Sequence, residues 1–117
     1  MNAEELKARS KKMALDVIKL VEKLPKGQTA DVMGRQLIRS ATSVAANYRS
    51  ACRSRSRSDF INKLGIVEEE ADETLFWLEM LMDAKKANEI DVAPLMKEAR
   101  ELTAIFSASR ITAKRNR

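Results

Sequence analysis

Apolar residues return every three or four positions along almost the whole chain, and nowhere do they alternate in the two-residue rhythm of a half-buried strand. Four such stretches are separated by helix breakers. A first helix over about residues 3–24 carries Leu6, Met13, Val17, Leu20 and Leu24 on one face, and Pro25 and Gly27 end it. A second, about 30–52, opens at Thr29 or Asp31, both good N-caps, and carries Leu37, Ala41, Val44, Tyr48 and Ala51. A third, about 58–86, opens after Ser56 or Ser58, with Phe60, Leu64, Val67, Ala71, Leu75, Leu78 and Met82 as its stripe. At ~1.5 Å per residue this longest element spans ~43 Å. A fourth, about 92–113, is capped by Asp91, has Pro94 in its first turn and carries Leu95, Ala99, Leu102, Phe106 and Ser109. The basic tail, 114–117, is expected to fray. Short connections between long helices imply antiparallel neighbours, so the pattern predicts one all-α domain, an elongated up-down-up-down four-helix bundle.

Composition agrees with helices and narrows the chemistry. The chain has 117 residues with three Gly, two Pro and few aromatics, a balance that disfavours sheets. It has no His, and Cys52 is the single cysteine, which removes disulfide frameworks, thiol-histidine sites and zinc clusters within one chain. The acids Glu68, Glu69, Glu70, Asp72 and Glu73 resemble a carboxylate metal site only superficially, because di-iron bundles need Glu-x-x-His motifs. Neither a metal, a cofactor nor an enzymatic activity is expected. Cys52, among arginines, reads either as a mildly reactive thiol or as a small buried residue, the second being the commoner case. The N-terminus lacks the apolar segment of a secretion signal and no run is long enough to span a bilayer, so a soluble cytoplasmic protein without a membrane partner is expected.

Charge is distributed unevenly. The net value is +5, yet between Val32 and Ser58 stand six arginines and no acid, while Glu68 to Glu73 holds five acids and no base. On a helical wheel Arg35, Arg39, Arg49 and Arg53 form a ridge opposite the apolar stripe of the second helix, with the small residues Thr42 and Ala46 between them. The ridge reads either as a solvated face or as a contact surface. Opposite the core stripe of the third helix lie Ile66, Glu70, Glu73, Trp77 and Met80 or Leu81, and an aromatic ringed by charge suggests a subunit interface centred on Trp77. The two faces fit each other. Glu70 and Glu73 of one subunit are expected to meet Arg35 and Arg39 of the next, a heterologous contact that closes into a ring where the rotation permits.

The segment from Gln36 to Leu81 resembles the four-helix-bundle proteins encoded in 23S rRNA intervening sequences. Gln36, Arg39, Ser40, Ala41, Ser43, Val44, Ala46 and Asn47 match the family's helix motif, and Phe60 and the acids from Glu68 onward match its long third helix. Many relatives place Pro where Ala45 stands and an Asn-Ile-Ala-Glu-Gly run where this chain has Asn47 to Ala51, so the ridge here is more basic than the family pattern. The resemblance implies a ring-shaped homopentamer with a basic surface and no enzymatic activity. It further implies kinship to the accessory variability protein of diversity-generating retroelements, which binds nucleic acid and a reverse transcriptase.

Two readings of function follow. In the first, a homo-oligomer binds RNA or DNA through the phosphate backbone, using Arg49, Arg53, Arg55, Arg57, Arg110, Lys114, Arg115 and Arg117; repeating a weak basic patch around a ring adds avidity. With few exposed aromatics and no helix-turn-helix signature, such binding is sequence-tolerant. In the second, an assembly module uses its arginines in intersubunit salt bridges and docks a protein partner without nucleic acid. The alternating "RSRSRS" run, residues 53–58, reads as a structured corner between two helices, with Arg55 and Arg57 the best placed for phosphate.

Overall fold

In a chain whose pattern holds no strands, an amphipathic helix buries its apolar face against other helices, and four of them joined by short turns can satisfy one another around a single core. In the computed structural model, which describes residues 1–116, they do so as α1 (Ala3–Glu22), α2 (Gln28–Ala51), α3 (Arg57–Asp83) and α4 (Glu89–Arg115). Each helix packs on its neighbours in sequence and α1 also packs on α4, whereas among the described residues the backbones of the diagonal pairs α1/α3 and α2/α4 do not come within 8 Å, Cα to Cα. The result is an antiparallel up-down-up-down four-helix bundle of 48 × 20 × 20 Å. No helix among the described residues is long and apolar enough to cross a membrane.

Met13, Leu37, Leu64, Leu78, Leu102 and Phe106 are fully buried along the axis. Near one end the Tyr48 and Phe106 rings pack 5.2 Å apart, joining α2 to α4. Gly34 lets the Val21 side chain of α1 pack directly on the α2 backbone, since a Cβ there would lie 2.9 Å from Cγ1 of Val21.

Several helix ends differ from expectation. α2 begins at Gln28 because Gly27, at φ 150°, makes a turn that residues with side chains rarely adopt, ahead of both Thr29 and Asp31. α4 begins one turn earlier than expected, after Asn88; Asp91 lies inside its first turn and Pro94 inside the helix. Its C-terminal end runs through Lys114 and Arg115, so those two residues are helical rather than frayed, and Arg117 lies outside the described residues. Ser56 caps α3 as one of the two expected serines, its hydroxyl accepting from the Asp59 N–H at 3.1 Å. Asn2 and Glu5 exchange hydrogen bonds across the start of α1.

The core face of α3 is also rotated from the expected stripe. Ile61, Leu64, Val67, Ala71, Thr74, Leu78 and Leu81 are buried, while Phe60, Leu75 and Met82 are half-buried at the edge. A polar residue takes a core position because the Thr74 hydroxyl donates to the backbone oxygen of Glu70 at 2.8 Å and lies 3.1 Å from the Ser40 hydroxyl of α2. Leu81, considered for the outer face, is fully buried.

Candidate nucleic-acid interface and the arginine clasps

Antiparallel topology decides which charges meet. α1 and α3 start, and α2 and α4 finish, at the same end of the bundle, so the turn at 52–56 lies beside the start of α1 and the end of α4. Arg49, Arg53, Arg55, Arg57, Lys114 and Arg115 therefore converge there. A groove of about 750 Å³ at this end is lined by Met1, Arg57, Phe60, Ser109 and Asn116 among others, placing the start of α3 against the last turns of α4. None of these six cations has a carboxylate within salt-bridge distance among the described residues. Cys52, at the end of α2, is exposed rather than buried.

Other arginines are engaged inside the chain. Arg9 of α1 grips Glu98 of α4 with two bonds, Nε to Oε2 at 2.7 Å and Nη2 to Oε1 at 2.6 Å, and reaches Glu101 at 3.1 Å. Arg110 of α4, expected at the basic surface, donates from Nε to Glu68 of α3 at 2.8 Å. Arg39 of α2 donates to Glu70 of α3 at 2.8 Å and 3.3 Å, and also bonds Glu73. Fork-to-carboxylate geometry of this kind fixes the rotation of one helix against the next. Three of the four seams are clasped in this way; the α1–α2 seam has no cross-helix ion pair among the described residues.

Arg39, Glu70 and Glu73, expected to meet across a subunit boundary, thus meet within one chain. The reason is geometric: Arg39 leans off the ridge toward α3, on the same side of α2 as Ser40. Arg35 takes no part; it is exposed beside a shallow hollow at the opposite end, lined by Leu24, Pro25 and Ile38. Trp77 is half-buried against the core and donates its indole N–H to Glu73 at 3.3 Å, so Glu73 bridges Arg39 and the indole. Burial alone would raise the Glu70 carboxyl, but hydrogen bonds from Arg39 and Ser43 hold it below its ordinary value. The Tyr48 phenol is pushed up by burial first and by its neighbour Cys52 second.

Of the remaining expected interface residues, Thr42 and Ala46 line a groove between α1 and α2, and Ile66 is exposed on α3. Sequence reasoning missed Phe76, which is exposed and packs edge-on against Trp77 with ring centres 4.9 Å apart. It also missed Arg9 with Glu98 and Glu101; their charge pattern is that of any solvated helix surface, and only the bundle brings them together.

The motif from Gln36 to Asn47 has a structural explanation. Gln36 accepts from Arg39 Nε at 3.4 Å, Ser40 meets Thr74, and the Asn47 amide donates to the Ser43 backbone oxygen at 2.9 Å and hydroxyl at 2.8 Å. Most of these residues build the α2 side of the α2–α3 seam.

The chain matches the 23S rRNA-intervening sequence protein family over residues 4–108. It is also similar to a crystal structure, at 1.70 Å resolution, of a protein of unknown function from the S23 ribosomal protein family of Bacteroides thetaiotaomicron VPI-5482. That similarity has 33% sequence identity and a TM-score of 0.86, and it covers 94% of this chain and 98% of that one. Among curated proteins no relative matches.

Proposed function

The chain belongs to the 23S rRNA-intervening sequence protein family, and from that membership we propose that it is a non-enzymatic, ring-like homo-oligomer whose basic end binds RNA or DNA through the phosphate backbone. The observation that carries this reading is the convergence of Arg49, Arg53, Arg55, Arg57, Lys114 and Arg115 at one end of the bundle without carboxylate partners among the described residues. Cations left unpaired by the protein are the ones able to release counterions from a phosphate chain. At the opposite end Lys23, Lys26, Arg35, Lys85 and Lys86 are interspersed with Glu22, Asp31, Asp83, Glu89 and Asp91, so no comparable excess forms there.

Arginine favours phosphate contact because its fork engages two oxygens at once. The corner 52–56 is held in place by backbone hydrogen bonds, including Arg53 N–H to the Ser50 oxygen at 3.0 Å and Ser54 N–H to the Ala51 oxygen at 3.1 Å, so its arginines project from a defined turn. Little aromatic surface is available for base stacking at this end, which favours sequence-tolerant binding. Self-assembly multiplies the patch, and each added contact then acts at high effective concentration.

Fluorescence anisotropy with a labelled single-stranded RNA, and with DNA of the same sequence, tests the reading across a salt series. Binding is expected to weaken with salt at a log-log slope of about −0.7 per neutralised phosphate on a single strand. Absence of binding at ~150 mM salt, or binding insensitive to salt, would favour the assembly module without nucleic acid instead.

A further inference from the structure

The seam without an arginine clasp is open. Between α1 and α2 runs a groove of about 580 Å³ whose floor includes Ala8, Ala14, Ile18, Ala45 and Ala46. Leu15, on its wall, is 51% exposed. On the rim Glu4 is neutralised by Lys7 at 2.7 Å, while Lys11 and Arg49 have no carboxylate partner among the described residues. Small floor residues let another backbone come close, and the exposed leucine and half-buried isoleucine supply apolar surface.

A complementary face lies elsewhere on the same molecule. On the outside of α3, Ile66 is 46% and Phe76 48% exposed, and between them the exposed acids Glu69 and Asp72 have no cation partner among the described residues. Phe76 is held edge-on by Trp77, whose indole is tied to Glu73, so the anchor is pre-set rather than ordered on contact. Ile66 to Phe76 and Ala8 to Ile18 are equal lengths of helix, ~15 Å each.

We infer that the α1–α2 groove of one protomer receives the outer face of α3 of a second copy of this chain, with Ile66 and Phe76 against the groove and Glu69 and Asp72 against Lys11 and Arg49, which leaves Arg53, Arg55, Arg57, Lys114 and Arg115 for phosphate in the assembled form. Opposite charges between matched apolar anchors select this occupant over an unrelated apolar one. Because α3 stands diagonal to α1, groove and face lie on different sides of the bundle. The contact is heterologous, each protomer giving one surface and receiving the other, and it propagates to a ring or a filament rather than stopping at a symmetric pair. This inference rests on the homo-oligomer in the proposed function and replaces the Arg39-based contact expected from sequence.

Light scattering on three proteins tests it: the natural chain, Ala46→Trp to fill the groove, and Phe76→Glu to spoil the face, with far-UV circular dichroism confirming that both variants fold. The natural chain is expected at a multiple of the 13.2 kDa protomer, and each variant alone at 13.2 kDa. An equimolar mixture of the variants retains one good groove and one good face, so it is expected to form a capped pair at twice the protomer mass. A monomeric natural chain would overturn the homo-oligomer itself. An oligomeric natural chain with variants of unchanged mass, or variants that fail to pair on mixing while Glu69→Lys with Lys11→Glu also fails to restore assembly, would overturn only the groove-and-face contact.

Discussion

Arginine plays two different parts in this molecule, and the contrast between them separates architecture from function. At the α2–α3 seam Arg39 is held by Glu70, Glu73 and Gln36, and its charge is consumed in setting how two helices face each other. At the corner between the same two helices, Arg53, Arg55 and Arg57 are exposed and have no acid partner among the described residues. The seam arginine and the corner arginines belong to one acid-free block of sequence, yet only the second group is available to a ligand. A basic stretch is therefore evidence for phosphate binding only after the arginines that serve the fold have been subtracted.

The largest effect is expected from the corner. Reversing Arg53, Arg55 and Arg57 to Glu should weaken RNA binding by about 100-fold or more at moderate salt, since three phosphate contacts are lost and three repulsions gained. Folding should change little, because Glu at the first position of α3 is favoured by the helix dipole while Glu just beyond α2 is disfavoured by a similar amount. Anisotropy and chemical denaturation on one sample measure both.

The mirror-image experiment is Arg39→Ala. It leaves the largely buried Glu70 carboxylate without its cation, and a loss of about 1–2 kcal/mol of stability is expected, kept modest by the solvent around the 48% exposed Arg39 side chain. Affinity for RNA should stay within about twofold. A large loss of binding with intact folding would break the proposed division.

Acid sharpens the same contrast more gently. The Glu70 pKa is lowered from 4.5 on folding, so its contribution to stability is present above that value and lost as pH falls through the lower folded value. The denaturation midpoint of the natural chain should fall with pH in this range, and that of Glu70→Gln should fall less. Smallest of all, Arg35→Ala should change stability by less than about 0.5 kcal/mol, because Arg35 has no ion-pair partner among the described residues and stands at the other end of the bundle from the corner.

Much of the architecture was legible in the sequence pattern: four helices, their antiparallel order, and a serine cap on α3 at Ser56 or Ser58, of which Ser56 is the one used. The rotation of α3 was not. A stripe that counts only apolar residues passes over Thr74, which enters the core because it can bond Ser40 and its own backbone, and this shifts the outer face from Trp77 toward Phe76. The start of α2 was missed because a glycine turn displaced the two stronger cap residues downstream. For charge, sequence showed where arginines and acids were dense but not which would meet, since that depends on side chains 31 and 34 positions apart in the chain. The groove between α1 and α2 was hidden for a related reason: its two walls come from helices each of which reads as an ordinary amphipathic surface, and only Thr42 and Ala46 hinted at close approach.

The most direct test of the central claim is the salt dependence of RNA binding by the natural chain and by the Arg53→Glu/Arg55→Glu/Arg57→Glu variant, read as the slope of log affinity against log salt. The account predicts a steep slope for the natural chain and one shallower by about 2 for the variant, the share of three single-strand phosphate contacts. Equal slopes and equal affinities for the two proteins would contradict it.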